Sequence, residues 1–431
     1  MISQLTFAIL LVVAVVFFVR NAKKIVRNIK LGRTVSRFDN PRERIKTMLL
    51  VAFGQQKMFK KPIPALLHLF VYVGFCIINI EMLEIVIDGL FGTHRVLSFM
   101  GGFYNFIIYA FELLAFAVLL SCVIFLIRRN VLKIKRFQNK ELQNWPKTDA
   151  TLILITEILL MAAFLFMNAA DHKLQLLGAP HYHEAGAFPI SSLLVNILPD
   201  SISGLILIER GAWWFHIIGV LLFLNYLPIS KHLHIILAFP NTYFSKLTPK
   251  GKFENMPAVT NEVKAMLDPT FTSPQTDANA RFGVKDVADL TWKNLLDAYT
   301  CTECGRCTAA CPANITGKLL SPRKIMMDTR DRLEEVGKSI DQNKSPQEGD
   351  RALLDAHITR EEIWACTSCN ACVEQCPVNI NPLEIIMGLR QYVVMEESQA
   401  PGSVNAMFGN LENNGAPWKY AQADRANWTN Q

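Results

Sequence analysis

Charge is scarce in this chain of 431 residues: Asp, Glu, Lys and Arg make up 19%, while hydrophobic residues make up 51%. A soluble domain carries about 25% charged residues, so the deficit argues against an ordinary soluble enzyme. Disorder and fibrous repeats are excluded by the same balance. Acidic residues are rarest where basic ones gather. Between Arg20 and Lys61 thirteen Lys/Arg face only Asp39 and Glu43, and between Arg128 and Lys147 seven face only Glu141. The surplus contributes to a net charge of +7. Both clusters flank apolar runs, so they read as cytoplasmic loops under the positive-inside rule, not as a nucleic-acid surface. No basic residue precedes the first apolar run and no small-residue cleavage site follows it, so that run reads as an uncleaved anchor.

What is present divides the chain. A membrane span needs about 20 apolar residues, and five candidates occur, at 4–20, 65–90, 103–127, 150–170 and 206–228. With the N-terminus outside, loops 20–64 and 128–149 lie inside, loops 91–102 and 171–205 lie outside, and the C-terminal half is cytoplasmic. Loop 171–205 holds Lys173 as its only Lys/Arg, as an outer loop should. The expected location is a bacterial cytoplasmic membrane, crossed several times and solvated by lipid.

Histidines are few, nine in all, and His68, His216, His232 and His234 lie in or at the ends of the second and fifth runs. The second run starts at the inner face and the fifth ends there, which puts His68 and His234 at one depth. A b-type haem between two helices needs paired neutral imidazoles at one depth. His216 and His234 are 18 residues apart. On a continuous helix that is five turns, so both project from one face about 27 Å apart. His232 then points nearly the opposite way, and His234 is the expected ligand. The alternative is that these are interfacial or packing histidines. His216 meets Ile78, Asn79 and Met82 on the second run instead of a histidine, which favours one haem b over two. Glu81, Glu84, Glu112 and Glu157 also fall inside the spans. A carboxylate there points to function, such as proton delivery to a quinone, or to pairing across helices. Cys76 and Cys122 read as packing residues.

The other eight cysteines repeat one pattern: Cys301, Cys304, Cys307 and Cys311-Pro312, then Cys366, Cys369, Cys372 and Cys376-Pro377. This run ligates [4Fe–4S] clusters, with three thiolates on one cube and the fourth on the other. One cluster would take Cys301, Cys304, Cys307 and Cys376. The second would take Cys366, Cys369, Cys372 and Cys311. A disulfide framework conflicts with the cytoplasmic placement, and zinc sites usually lack the third and fourth positions. Fifty-four residues separate Cys311 from Cys366, with helical periodicity at 321–336 and 351–364. The expected fold is therefore all-α: a five-helix transmembrane bundle at 1–247, a linker at 248–290 and an all-helical two-cluster ferredoxin domain at 291–396. A partner-docking tail follows at 397–431, where Phe408, Trp418, Tyr420 and Trp428 show no periodicity.

Two stretches carry a resemblance to known families. FGQQKMFKKPIPALLHLFVYVGF (53–75) and WWFHIIGVLLFLNYLPISKHLHIILAFPNTYF (213–244) resemble the cytochrome b anchors related to the gamma subunit of respiratory nitrate reductase. That resemblance implies haem histidines on helices two and five, matched by His68, His216 and His234; the family's second helix-two histidine has no match. TWKNLLDAYTCTECGRC and SPRKIMMD, within 287–389, resemble the electron-transfer subunit of heterodisulfide reductase and membrane-bound electron-transfer-flavoprotein:menaquinone oxidoreductases. The resemblance implies a subunit that relays electrons between a quinone (menaquinone or ubiquinone), haem b, two [4Fe–4S] clusters and a cytoplasmic partner. In larger relatives a CCG-containing catalytic region follows. No Cys-Cys pair occurs here, so the expected partner is a separate CCG-domain or flavoprotein subunit. One alternative is a haem-free, membrane-anchored ferredoxin subunit, and another is an iron–sulfur redox sensor.

Overall fold

The structure is a computed structural model that describes residues 1–253, 255–272, 281–343 and 351–430. It is predominantly helical, and it divides into two compact units. The first comprises Met1–Arg27, Met48–Phe239 and Thr302–Cys304; the second comprises Asn28–Thr47, Pro240–Cys301 and Gly305–Gln431.

Five helices in the described residues are long and apolar enough to cross a membrane. They are α1 (Ile2–Ile29), α2 (Pro62–Phe91), α3 (Gly102–Leu126), α4 (Trp145–Leu176) and α5 (Ile202–Tyr226). All five apolar runs are therefore helical; α1, α2 and α4 extend past their runs at both ends, while α3 and α5 start earlier and stop one and two residues short. The boundaries follow from local chemistry. Pro62 and Pro146 sit in the first turns of α2 and α4, where a missing N–H costs nothing. Gly92 stops α2 in the left-handed region at φ 71°, and Ser201 caps α5 by accepting from Gly204 N at 3.0 Å. In the bundle α2 packs on α3, α3 on α4, and α4 on α5. Phe111, Ala115, Phe164 and Ile217 lie in its core, while Leu83, Phe106 and Leu207 point outward. An apolar exterior around a packed interior is what a lipid solvent permits.

The second unit holds α6 (His234–Tyr243, from Pro240 onward), α7 (Pro257–Leu267), α8 (Trp292–Thr300), α9 (Pro322–Asn343), α10 (Pro382–Met395) and α11 (Gly402–Asn414). Short helical turns cover Arg306–Ala309, Pro312–Ile315, Arg360–Trp364 and Ala371–Gln375, and His357–Ile358 forms a two-residue strand. That strand departs from the expected all-helical domain. Two other expectations change. The proposed linker contains α7, which a proline starts. The tail contains α11, which ends at Gly415 at φ 65°.

The basic segment 28–47 belongs to the second unit. Arg33 N donates to Leu290 O at 2.7 Å, and Trp292 N returns a bond to Arg33 O at 3.1 Å. Trp292 Nε1 donates to Val35 O at 2.9 Å, and Asn28 Nδ2 donates to Tyr299 Oη at 2.9 Å. Arg44, 1% exposed, donates to Asp39 and to the carbonyls of Tyr243 and Ser245 at 3.1 and 3.0 Å.

Candidate cofactor-binding site

Histidine chemistry in the first unit is set by where α5 stops. The expectation of one continuous helix from His216 to His234 is incorrect. The helix ends at Tyr226, a 3-10 turn covers Leu227–Ile229, Ser230 is extended at φ −115° and ψ 151°, and a second 3-10 turn precedes His234. Pro228 lacks the N–H that would continue the ladder. Asp149, buried on α4, holds the break: it accepts from Tyr226 Oη at 2.5 Å, Ser230 Oγ at 2.7 Å and Lys231 N at 3.1 Å. Periodicity therefore does not choose between His232 and His234.

Hydrogen bonding does separate them. His216, 2% exposed, has Nδ1 at 3.0 Å from Leu160 O. His234 has Nδ1 at 3.0 Å from Lys231 O. A carbonyl only accepts, so each Nδ1 carries the proton and each Nε2 keeps its lone pair. That tautomer is the one a metal-ligating imidazole uses, with the other ring nitrogen fixed by a carbonyl. The His232 ring centroid lies 5.6 Å from that of His234. Burial holds His232 down at about 3, and the nearby His234 and His68 push the same way. His234 is also lowered by burial. The structure thus brings His68 and His234 close to His232, while His216 stands apart on α5.

The intramembrane acids mostly have partners. Glu112 is fully buried and accepts from Asn168 Nδ2 at 3.2 Å, Ile190 N at 2.9 Å and Ser191 N at 3.0 Å. Glu84 accepts from Leu97 N at 2.9 Å and Tyr104 Oη at 3.0 Å. Glu157 lies beside Cys122. The sequence reading missed Arg95 and Asp171, a buried pair at 2.5 Å. Both fall in segments expected to be outer loops, and the extension of α4 to Leu176 carries Asp171 into the packed interior of the bundle.

In the second unit Cys311 is brought to Cys366, Cys369 and Cys372. Burial pushes the Cys372 thiol up to about 12, and the neighbouring Cys366, Cys311 and Cys369 add to the rise. Burial also raises Cys366; Ser368 N–H, at 3.4 Å from its Sγ, and the Arg390 guanidinium oppose that rise. Ile380 N lies 3.3 Å from Cys376 Sγ. Backbone N–H groups aimed at sulfur and a nearby cation fit thiolates that share a cluster's negative charge. Cys301, Cys311 and Cys376 are buried and Cys369 is exposed. Among the described residues no three His, Cys, Asp or Glu side chains converge on one metal ion; a cubane instead spaces its thiolates at separate corners.

Residues 300–380 match the family model of the 4Fe-4S dicluster domain. A probable iron-sulfur-binding oxidoreductase FadF of Bacillus subtilis is 30% identical over 463 residues, which cover 100% of this chain and 61% of the relative. An EtfAB:quinone oxidoreductase of Syntrophomonas wolfei is 26% identical over 99% of this chain and 59% of its own length. A probable membrane-anchored ferredoxin of Chromohalobacter salexigens is 34% identical over 35% of this chain and 25% of the relative. The chain thus spans about three fifths of the two relatives that match along its length. No solved structure matches it. Its relatives are iron–sulfur oxidoreductases, and its dicluster domain shares one chain with five helices able to cross a membrane.

Proposed function

We propose that this chain is a membrane-bound electron-transfer subunit that relays electrons between a quinone pool and a cytoplasmic redox partner. The observation that carries the reading is the union, in one chain, of a 4Fe–4S dicluster domain with a helix bundle that carries His68 on α2 and has His232 and His234 side by side just past the end of α5. Cys301, Cys304, Cys307 and Cys376 hold one [4Fe–4S] cluster, and Cys366, Cys369, Cys372 and Cys311 hold the other. His68 and His234 hold one haem b, with His232 beside them. The clusters and haem supply one-electron redox chemistry when bound. The chain's own part is to position the ligands, keep the imidazoles neutral and shield the site from water. The segment 28–47 folds with the cysteine half, which supports placing both on the cytoplasmic face, with the N-terminus outside. The tail, with α11 and the exposed Phe408, Trp418, Tyr420 and Trp428, serves as a docking strip for the partner, a CCG-domain protein or a flavoprotein.

Iron and sulfide analysis of anaerobically purified protein should give about eight irons per chain; about four would refute the two-cluster assignment. A reduced-minus-oxidised visible spectrum should show b-type bands. A second reading, a haem-free anchored ferredoxin, draws on the relative described as a probable membrane-anchored ferredoxin. A cluster spectrum without b-type bands would establish it.

A further inference from the structure

At the end of the bundle remote from His68, the first unit encloses a cavity of about 300 Å³. It lies between the start of α1, the last turns of α2, and the first half of α5. We propose that this cavity binds the headgroup of a quinone or hydroquinone, and that Glu81 is the group that hydrogen-bonds the ring hydroxyl. The proposal rests on the quinone-linked reading above and gives it a location.

Glu81 is the reason to look here. It is 3% exposed, it lines the cavity, and its Oε2 has no hydrogen-bond partner. An intramembrane carboxylate without a partner is costly. Its neighbours in the wall are engaged. Asp88 accepts from Arg95 N at 2.7 Å and Val96 N at 3.2 Å. Arg95 binds Asp171 and donates to Asn168 Oδ1 at 2.9 Å. Arg210 pairs with Glu209. Asp171 Oδ1 is the wall's other oxygen without a hydrogen bond, although His94 Nε2 lies 3.5 Å away. Among the described residues the wall thus holds two carboxylate oxygens without a hydrogen bond; Asp171 is already paired with Arg95 and has His94 beside it, whereas Glu81 feels the Arg95 charge without a hydrogen bond and is the acceptor left for a ligand.

The opposite wall is aromatic. Trp213 and Trp214 also line the cavity, with ring centroids 5.0 Å apart and planes at 83°. The Phe7 ring lies 5.6 Å from Trp213 and the Arg210 guanidinium lies 5.6 Å from the same ring. A flat ring can pack against such a wall; most of the remaining lining is polar or charged, including Gln4, Glu84, Asp88, His94 and Asp171, which suits the hydroxyl-bearing ring of the ligand and not its apolar tail. The occupant must be planar and aromatic, donate a hydrogen bond to a carboxylate, and carry an apolar tail into lipid. A hydroquinone meets all three demands. Proton transfer to Glu81 breaks the ring O–H bond, forms an Oε2–H bond and leaves the electron pair on the ring oxygen.

The test uses the full-length chain in detergent, with iron content verified for every variant. Menadione and its hydroquinone are titrated separately and followed by tryptophan fluorescence quenching. Saturable quenching is expected, and W214F should remove most of it. E81Q keeps the shape but loses the charged acceptor, so hydroquinone should bind about tenfold more weakly, while menadione affinity changes less than about twofold. Unchanged hydroquinone affinity in E81Q overturns the role of Glu81. Saturable binding that ignores both substitutions puts the quinone elsewhere, which overturns this site and spares the quinone-linked reading. Absence of any saturable binding to the wild-type chain overturns both.

Discussion

Lys293 carries a charge at 3% exposure, and only its partners make that tolerable. Its Nζ lies 2.6 Å from Asp297 Oδ1 and 3.0 Å from Asn241 Oδ1, and Asn241 Nδ2 donates to Val378 O at 2.9 Å. The trio thus ties α8 and α6 to the turn after Cys376. Burial raises the Asp297 pKa and Lys293 opposes the rise. Lys293→Met leaves that buried carboxylate without its counter-charge, with only Asn241 and Asn381 N beside it, at a cost of about 3–5 kcal/mol. Thermal unfolding should show the loss, and a Lys293→Met/Asp297→Leu double variant should recover most of it. A single variant that melts like wild type would show the pair to be dispensable. The i,i+4 spacing of the pair is legible in the sequence, but Asn241 joins from 52 residues away and leaves no local signal. The histidines divide in the same way. Their presence and rough depth are legible; their tautomers depend on the carbonyls of Leu160 and Lys231. On that basis His68→Ala and His234→Ala should each abolish the b-type bands, while His232→Ala retains them. Equal loss from His232→Ala and His234→Ala would refute the assignment based on the Nδ1 bonds.

Elements were legible where a single segment decides them. The five apolar runs, α8 and α9 follow from hydropathy and periodicity. The break after Tyr226 did not, although Pro228 marks it, because the three hydrogen bonds that fix it end on Asp149 in another helix. Segment 28–47 reads as a basic loop, yet its strand-like contact with 290–292 requires close backbone approach. A Cβ at Gly32 would sit 2.6 Å from Trp292 N and 2.7 Å from Thr291 C. Both are backbone atoms and cannot swing aside. Gly32→Val should therefore detach the segment and expose Arg37 and Arg44, each at most 8% exposed in the native fold. Limited trypsin digestion should cut at these arginines in the variant well before it does in wild type. Equal digestion rates would mean that the Arg33–Leu290 pairing survives a side chain at position 32.

At the scale of the whole molecule, chain length and membrane thickness constrain the topology. Helix α1 has 28 residues, about 42 Å at 1.5 Å per residue. The hydrocarbon core is about 30 Å thick, so the helix overshoots it, and its charged last turns, from Arg20 to Arg27, carry the chain clear of the lipid. Segment 28–47 then enters the same folded unit as the cysteine motifs, so Arg42 and Lys318, both exposed, must share one side of the membrane whichever way the protein is inserted. Under the orientation proposed above, the excess of Lys/Arg in 20–61 and 128–147 is expected to put that side in the cytoplasm. Single cysteines introduced as Arg42→Cys, Lys318→Cys and Glu184→Cys test both statements with an impermeant maleimide, read against the unmodified chain. In intact cells only the Glu184→Cys chain should gain label; after permeabilisation all three should. Labelling of Arg42→Cys and Lys318→Cys together in intact cells would invert the orientation and leave the fold intact. Labelling of one without the other would contradict the unit that joins them, because a folded body cannot place its own strand pairing across a bilayer.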